Sequence, residues 1–265
     1  MHRYLITITL LFTIIGCIDK RNEAFTSKTN TKTADTPHEE PIKKMNFDNL
    51  ENAFSNNLLV NQYYLEHGQK VNYSIAFTNH TIGVIKISSG KIVACDGFIS
   101  YGSEPFKYDF PLGEYPVDLS VGKFSNNNDE RVGFARIRFS DNKPVRWELA
   151  LQNDQDITQL KEGEMYGYGV DSGTGCFMDM EGKKEFDLFL NPTDNLEYDK
   201  NADIILKELE KSDKPSWSHL IWERNGKNVV IFSSGVGDGF YATYIGYDAK
   251  NQICRLVTDF DLIMQ

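Results

Sequence analysis

The string Val170-Asp171-Ser172-Gly173-Thr174-Gly175 holds the residue types of an aspartyl-protease loop. In such a loop a glycine lets the backbone curl and a neighbouring hydroxyl hydrogen-bonds the carboxylate, while catalysis needs two carboxylates that share a proton. Here the pattern occurs once, after Gly167-Tyr168-Gly169 rather than an apolar strand. It therefore reads as a Gly-rich turn in which Asp171 and Ser172 bond local backbone amides. A second string, Ser233-Ser234-Gly235-Val236-Gly237-Asp238-Gly239, follows the apolar run Val229 to Phe232 in the manner of a phosphate-cradling loop. A phosphate loop opens a helix. This one opens Phe240-Tyr241-Ala242-Thr243-Tyr244, a strand pattern, and lacks Gly-Lys-Ser, so Asp238-Gly239 reads as a tight hairpin turn.

Acidic residues gather around both segments: Asp171, Asp179, Asp238, Asp248, Asp259 and Asp261. Calcium takes several such oxygens from one ligand loop, and no loop with alternating Asp/Asn and a terminal Glu is present. These carboxylates read as solvated turn groups or partners of Arg131, Arg136, Arg138, Arg146 and Arg255, with no metal set and no cofactor assigned. Nucleophile chemistry would need a positioned histidine. His67, His80 and His219 sit in no recognisable motif, so the catalytic residues are unassigned. Glycines and tyrosines mix at Tyr166-Gly167-Tyr168-Gly169 and around Phe240, Tyr241, Tyr244 and Tyr247. Glycine admits a ligand and tyrosine offers a flat face with a hydroxyl rim. The competing reading is sheet core. The candidate binding residues are Tyr168, Asp171, Ser172, Thr174, Asp179, Asp238, Tyr241 and Tyr244.

A different chemistry belongs to Cys17. His2 and Arg3 precede an apolar run from Tyr4 to Ile15 that closes in Gly16-Cys17. The run is too short for a stable membrane span and has the form of a bacterial lipoprotein signal. Cleavage before Cys17 leaves its thiol to carry lipid, and two or three acyl chains such as palmitate hold firmly where one would not. Ile18, not an acidic residue, follows the cysteine. By resemblance to enteric sorting rules this favours the outer membrane. Cys95, Cys176 and Cys254 remain, each in an apolar neighbourhood that suits a buried small hydrophobe. An odd number leaves at least one unpaired, and a single disulfide among them stays open.

The net charge of −10 becomes −11 when residues 1 to 16 go, because Arg3 is the only formal charge in that stretch. Such a body repels phosphate backbones, so no nucleic acid is expected as a partner. The expected partners are the membrane, through the lipid anchor, and a small-molecule or protein ligand of unknown identity. Residues 17–45 are polar, carry Pro37 and Pro41, and read as a flexible tether spanning roughly 30 Å. Residues 46–265 read as a single globular domain.

Several elements must position the candidate residues. Phe47, Leu50, Phe54, Leu58 and Leu59 predict an opening helix up to about Tyr64, and Ala202, Ile205, Leu206 and Leu209 predict a second over about 199–211, stopped by Pro215. Alternation predicts strands at Val71 to Phe77, Thr81 to Ile87, Tyr115 to Val121, Val132 to Phe139, Val145 to Leu151, His219 to Glu223, Val229 to Phe232, Phe240 to Tyr247 and Cys254 to Phe260. Ser89-Gly90-Lys91 predicts a hairpin into Ile92 to Cys95. Strands and helices do not alternate, so the expected fold is α+β, mainly β: a mostly antiparallel sandwich or rolled sheet with two or three packed helices.

Longer strings carry a resemblance. Ile92-Val93-Ala94-Cys95-Asp96, Gly113-Glu114-Tyr115-Pro116-Val117, Arg131 to Phe139, Pro144 to Leu151, Gly167 to Asp179, and Gly237-Asp238-Gly239 through Tyr247-Asp248 to Thr258-Asp259-Phe260 resemble, in order, the bacterial domain of unknown function family numbered 4241. The resemblance covers most of residues 50 to 265 and implies no activity. The functional expectation is a lipid-anchored cell-envelope binding module that meets its ligand through the 166–179 loop and a 235–248 hairpin. The alternatives are an envelope hydrolase using Asp171 or Asp238, and a protective lipoprotein that binds a protein partner.

Overall fold

A computed structural model describes residues 47–161, 164–191, 198–211 and 216–263. Cys17, the predicted signal peptide, the predicted tether and Pro215 lie outside the described residues.

The fold is mainly β and antiparallel throughout. One sheet holds seven strands in the order β1 (Leu59–Glu66), β2 (Gln69–Ile87), β4 (Gly113–Phe124), β5 (Glu130–Arg138), β13 (Ile253–Asp259), β12 (Thr243–Tyr247) and β6 (Arg146–Leu149). A second holds β3 (Ile92–Asp96), β8 (Thr174–Asp179), β10 (Lys227–Ser233) and β9 (His219–Arg224), and β7 (Tyr168–Val170) pairs with β11 (Gly239–Tyr241) as a two-stranded ribbon. Between the sheets lies a core that includes Ile92, Ala94, Phe177, Val230 and Phe232 from the small sheet and Val117, Ile137, Ile245 and Leu256 from the large one. The intervening residues of the small sheet, Val93, Cys95, Cys176, Met178, Val229 and Ile231, face the other way, against α2 (Met180–Leu190) and α3 (Tyr198–Leu209). Ile92-Val93-Ala94-Cys95 is thus apolar at every position because both faces of β3 are covered. On the outer face of the large sheet, Leu50 of α1 (Asn49–Asn52) and the Ala53 and Phe54 that follow it pack in one cluster with Ile75, Phe77 and Phe134.

Four expectations need correction. The opening helix stops at Asn52, because the backbone turns at Asn56 (φ 60°) and residues 59–66 pair in register with 69–76. Their two-residue turn, His67-Gly68, has positive φ at both positions, as the twist of a tight hairpin demands. Ser89-Gly90-Lys91 is not a hairpin, since β2 and β3 belong to different sheets and the chain crosses between them there. Phe240 to Tyr247 is two strands: β11 leaves for the ribbon and β12 stays in the large sheet, so 235–248 is no hairpin. The positive φ values near Asp238-Gly239 fall instead on Gly235 and Gly237.

One helix escapes the sequence pattern. α2 starts on Asp179, whose side chain caps the Glu181 N–H, and buries Phe186 and Leu190. Gly182, a poor helix former, is required by packing: a Cβ there would sit 2.5 Å from the Asn228 carbonyl oxygen of β10. The second predicted helix is present as α3 and buries Ile205 and Leu209.

Candidate functional site

Asp96, at the end of β3, is 3% exposed and organises one end of the sandwich. Its Oδ2 accepts the N–H groups of Asp171 and Ser172, both at 2.8 Å. Its Oδ1 accepts the Ser172 hydroxyl at 2.7 Å, the Phe98 N–H at 2.7 Å and the Ile99 N–H at 3.1 Å. Hydrogen bonds to a carboxylate are among the stronger ones. One buried side chain therefore ties the 97–103 loop to the 171–174 turn. The turn reaches a third segment, because Ser234 donates its N–H to the Gly173 carbonyl at 3.1 Å. Behind that contact β7 and β11 pair Tyr168 with Tyr241 and Val170 with Gly239. The two Gly-rich segments are neighbours although about sixty residues part them in sequence.

The roles within the turn differ from expectation. Asp171 does not bond local amides with its carboxylate; its own N–H is held by Asp96, and its side chain is exposed. Ser172 does bond locally, accepting the Thr174 N–H at 3.3 Å and meeting the Thr174 hydroxyl at 2.8 Å. Thr174 is buried. Asp238 is exposed.

Asp179 lies apart from this end. It is fully buried and accepts the Ser89 N–H at 2.9 Å, the Ser89 hydroxyl at 2.6 Å, the Ser88 hydroxyl at 3.0 Å and the Glu181 N–H at 3.1 Å. Because Asp96 pairs with Gly175 and Asp179 with Ile92, the two carboxylates occupy opposite ends of the β3–β8 ladder.

Tyr168 and Tyr241 lie beneath the loop end in the core between the sheets, whereas Tyr244, expected to join them, faces the α1 side of the large sheet with its ring edge against Phe47. Tyr241 and Tyr244 are buried, and the Tyr241 hydroxyl donates to the Gly237 carbonyl at 2.9 Å. Burial, then the nearby Asp261 and Asp238, raises the Tyr241 phenol above its usual range. Tyr244 is raised further by burial, with Asp259 and Asp261 adding to it. The Tyr168 hydroxyl is buried beside Gly175, and that burial pushes its pKa well up. Under the loop end Asp259 receives the Asp261 N–H at 2.9 Å. Burial pushes its carboxyl up to about 7.

Exposed apolar residues complete the loop end: Ile99 (52%), Tyr101 (86%), Val236 (72%) and Phe240 (51%). Val236 and Phe240 fall in the 235–248 segment expected to meet a ligand, whereas Ile99, Tyr101 and Asp96 belong to no candidate set; Asp96-Gly97 directly after an apolar strand is the signal that the sequence offers for them. The cavity behind the ribbon, lined by Tyr168, Gly167 and Thr243 among others, measures about 10 Å³ and has room for at most one water. A cavity of that size holds no ligand larger than a water, and the exposed residues around it form an open surface. Two open depressions lie elsewhere: about 440 Å³ along Tyr63 and Tyr73 on the β1–β2 hairpin, and about 410 Å³ beside α1. In the latter Glu51 bridges the buried Arg136 and Arg255, whose other partners include Asp118 and the Ser140 carbonyl. The five arginines thus pair with Glu51, Asp118, Asp129, Asp141 and Glu148, and not with the six aspartates expected around the Gly-rich segments.

Among the described histidines, His219 sits on the edge strand β9 opposite Phe232 with its ring near Trp217, His80 also lies near Trp217, and His67 sits in the β1–β2 turn. Among the described residues no group of three or more His, Cys, Asp or Glu is arranged to hold a metal ion. A family model described as protein of unknown function (DUF4241) matches residues 85–258. The chain belongs to this family. The matched span contains Asp96, both Gly-rich segments and Asp179, and it leaves out α1 and β1. No curated protein and no solved structure matches the chain.

Proposed function

We propose that this DUF4241 chain is a lipid-anchored binding module of the bacterial cell envelope that meets its ligand at the loop end of the sandwich. The observation that carries the contact face is Asp96: a single buried carboxylate rigidifies two loops, and a third is bonded to them, so that Ile99, Tyr101, Val236 and Phe240 are presented beside the open carboxylates of Asp171 and Asp238. Loops held on a rigid scaffold are where binding residues concentrate. Apolar side chains with acidic neighbours suit a ligand that has an apolar body and a cationic or hydrogen-donating group.

The anchor rests on the sequence from His2 to Cys17. No described helix is long and apolar enough to cross a membrane. In this reading the acyl chains on Cys17 anchor the chain and the polar residues 18–45 link them to the domain. The hydrolase reading needs two carboxylates that share a proton or flank a substrate, whereas Asp171 and Asp238 are each exposed on an open surface.

Hydrogen–deuterium exchange of the mature chain, with and without a detergent extract of the envelope, tests the reading. Slower exchange in 97–103, 171–174 and 234–241, with α2 unchanged, is the expected result. Protection confined to another face, or none anywhere, would refute it.

A further inference from the structure

Cys95 and Cys176 are direct register partners across β3 and β8, with Sγ atoms 3.4 Å apart. Both are buried. Gly97 donates to the Thr174 carbonyl and Met180 to the Lys91 carbonyl along the same ladder. Hydrogen-bonded and open pairs alternate in an antiparallel ladder, so 95/176 belongs with 97/174 to the bonded kind, with Cα atoms about 5.5 Å apart. That separation lies inside the span a disulfide bridges, roughly 4.4–6.8 Å. Cys254 is differently placed, on β13 of the other sheet, where its thiol donates to the Gly246 carbonyl at 3.4 Å.

We propose that Cys95 and Cys176 are an oxidisable pair that closes to a cross-strand disulfide when the chain folds in the presence of a disulfide oxidant, and that Cys254 stays a free thiol. The oxidant is another disulfide, either a dithiol oxidoreductase or oxidised glutathione. The thiolate of one cysteine attacks it, forms a mixed disulfide and releases one sulfur as a thiolate. The second cysteine, as its thiolate, then attacks the mixed disulfide at the first cysteine's sulfur, closes the Cys95–Cys176 bond and expels the remaining oxidant sulfur. Two electrons and two protons pass to the oxidant, which leaves fully reduced. Burial pushes the Cys176 thiol well above its usual range, so the thiolate needed for this exchange is scarce once the fold is complete. Closure therefore belongs to folding, before α2 covers the outer face of the ladder. The bond would lie directly beneath Asp96 and fasten the base of the loop end. The pairing depends on neither the contact face nor the lipid anchor.

The test refolds the mature chain, with Cys17→Ser to remove the extra thiol, in a buffer of oxidised and reduced glutathione. Free thiols are then alkylated in denaturant without reductant, and the peptides are mapped by mass. The expected product is one cross-linked pair of peptides containing Cys95 and Cys176, lighter by two hydrogens than the separate thiols, with Cys254 alkylated. The oxidised protein should also melt roughly 10 °C above the same chain refolded in reductant, because the closed loop is long. In Cys95→Ala that difference should vanish. Alkylation of both Cys95 and Cys176 after oxidative refolding, or a bond made by Cys254, would overturn the proposal.

Discussion

The two ends of the β3–β8 ladder use one device for different purposes. At each end a buried aspartate gathers N–H and O–H donors from segments distant in sequence. Asp179 receives four such bonds, and every one closes the structure: the crossing between the sheets at Ser88-Ser89 is fixed and α2 is capped. Asp96 receives five, and its loops lead outward to Ile99 and Tyr101 and to the exposed Asp171. A saturated buried carboxylate is therefore no marker of function by itself. What its donors carry on their far side decides whether it builds a corner or a presenting face.

The comparison breaks most sharply at the closed end. Asp179→Ala strands the Ser88, Ser89 and Glu181 donors in the interior and removes a helix cap, so denaturant unfolding should show a loss of about 4 kcal/mol. Next comes Asp259, under the open end, where the Asp261 N–H is the one donor among the described residues. Its folded carboxyl keeps its proton to about pH 7, while the unfolded chain releases it near 3.8. Between those values the folded state binds more protons, so stability falls as pH rises from about 4 to 7, by on the order of 3 kcal/mol. Asp259→Asn should flatten that slope in unfolding curves taken across the window; an unchanged slope would assign it to another group.

Asp96→Ala should cost less than Asp179→Ala, about 2 kcal/mol, because water can reach the loops it frees. Amide exchange should quicken at 97–103 and 171–174 and stay unaltered in α2. Equal losses for the two aspartates would make the open end as structural as the closed one. The smallest effects belong to Asp171→Asn and Asp238→Asn, each within about 0.5 kcal/mol in unfolding, yet each reducing the protection that envelope extract confers on the loop end.

Much of this architecture was legible in the sequence. Strand alternation located most of the ladder, and the likeness of the two Gly-rich segments anticipated that β7 and β11 lie together. Local patterns failed where long-range contacts decide. Leu58 and Leu59 happen to continue a helical spacing from Phe47, but pairing with β2 claims residues 59–66 for a strand. α2 hid because Gly182 weakens its helical signal, and the reason for that glycine, the Asn228 carbonyl, lies 46 residues further on (228 − 182). Asp96 finds its Asp171 partner 75 residues away. A spacing argument along the chain has no access to such a bond, whereas the exposed carboxylates of Asp171 and Asp238 announce themselves inside short motifs.

The central claim is that the open end, and not the rest of the surface, meets the ligand. A photo-crosslinking phenylalanine analogue placed at Phe240, on the loop end, and in a second strain at Leu188, on the exposed side of α2, tests it in intact cells. The account predicts a discrete adduct, seen as added mass on the purified chain, from position 240 and none from 188. Adducts from 188 alone, or equally from both, would contradict it.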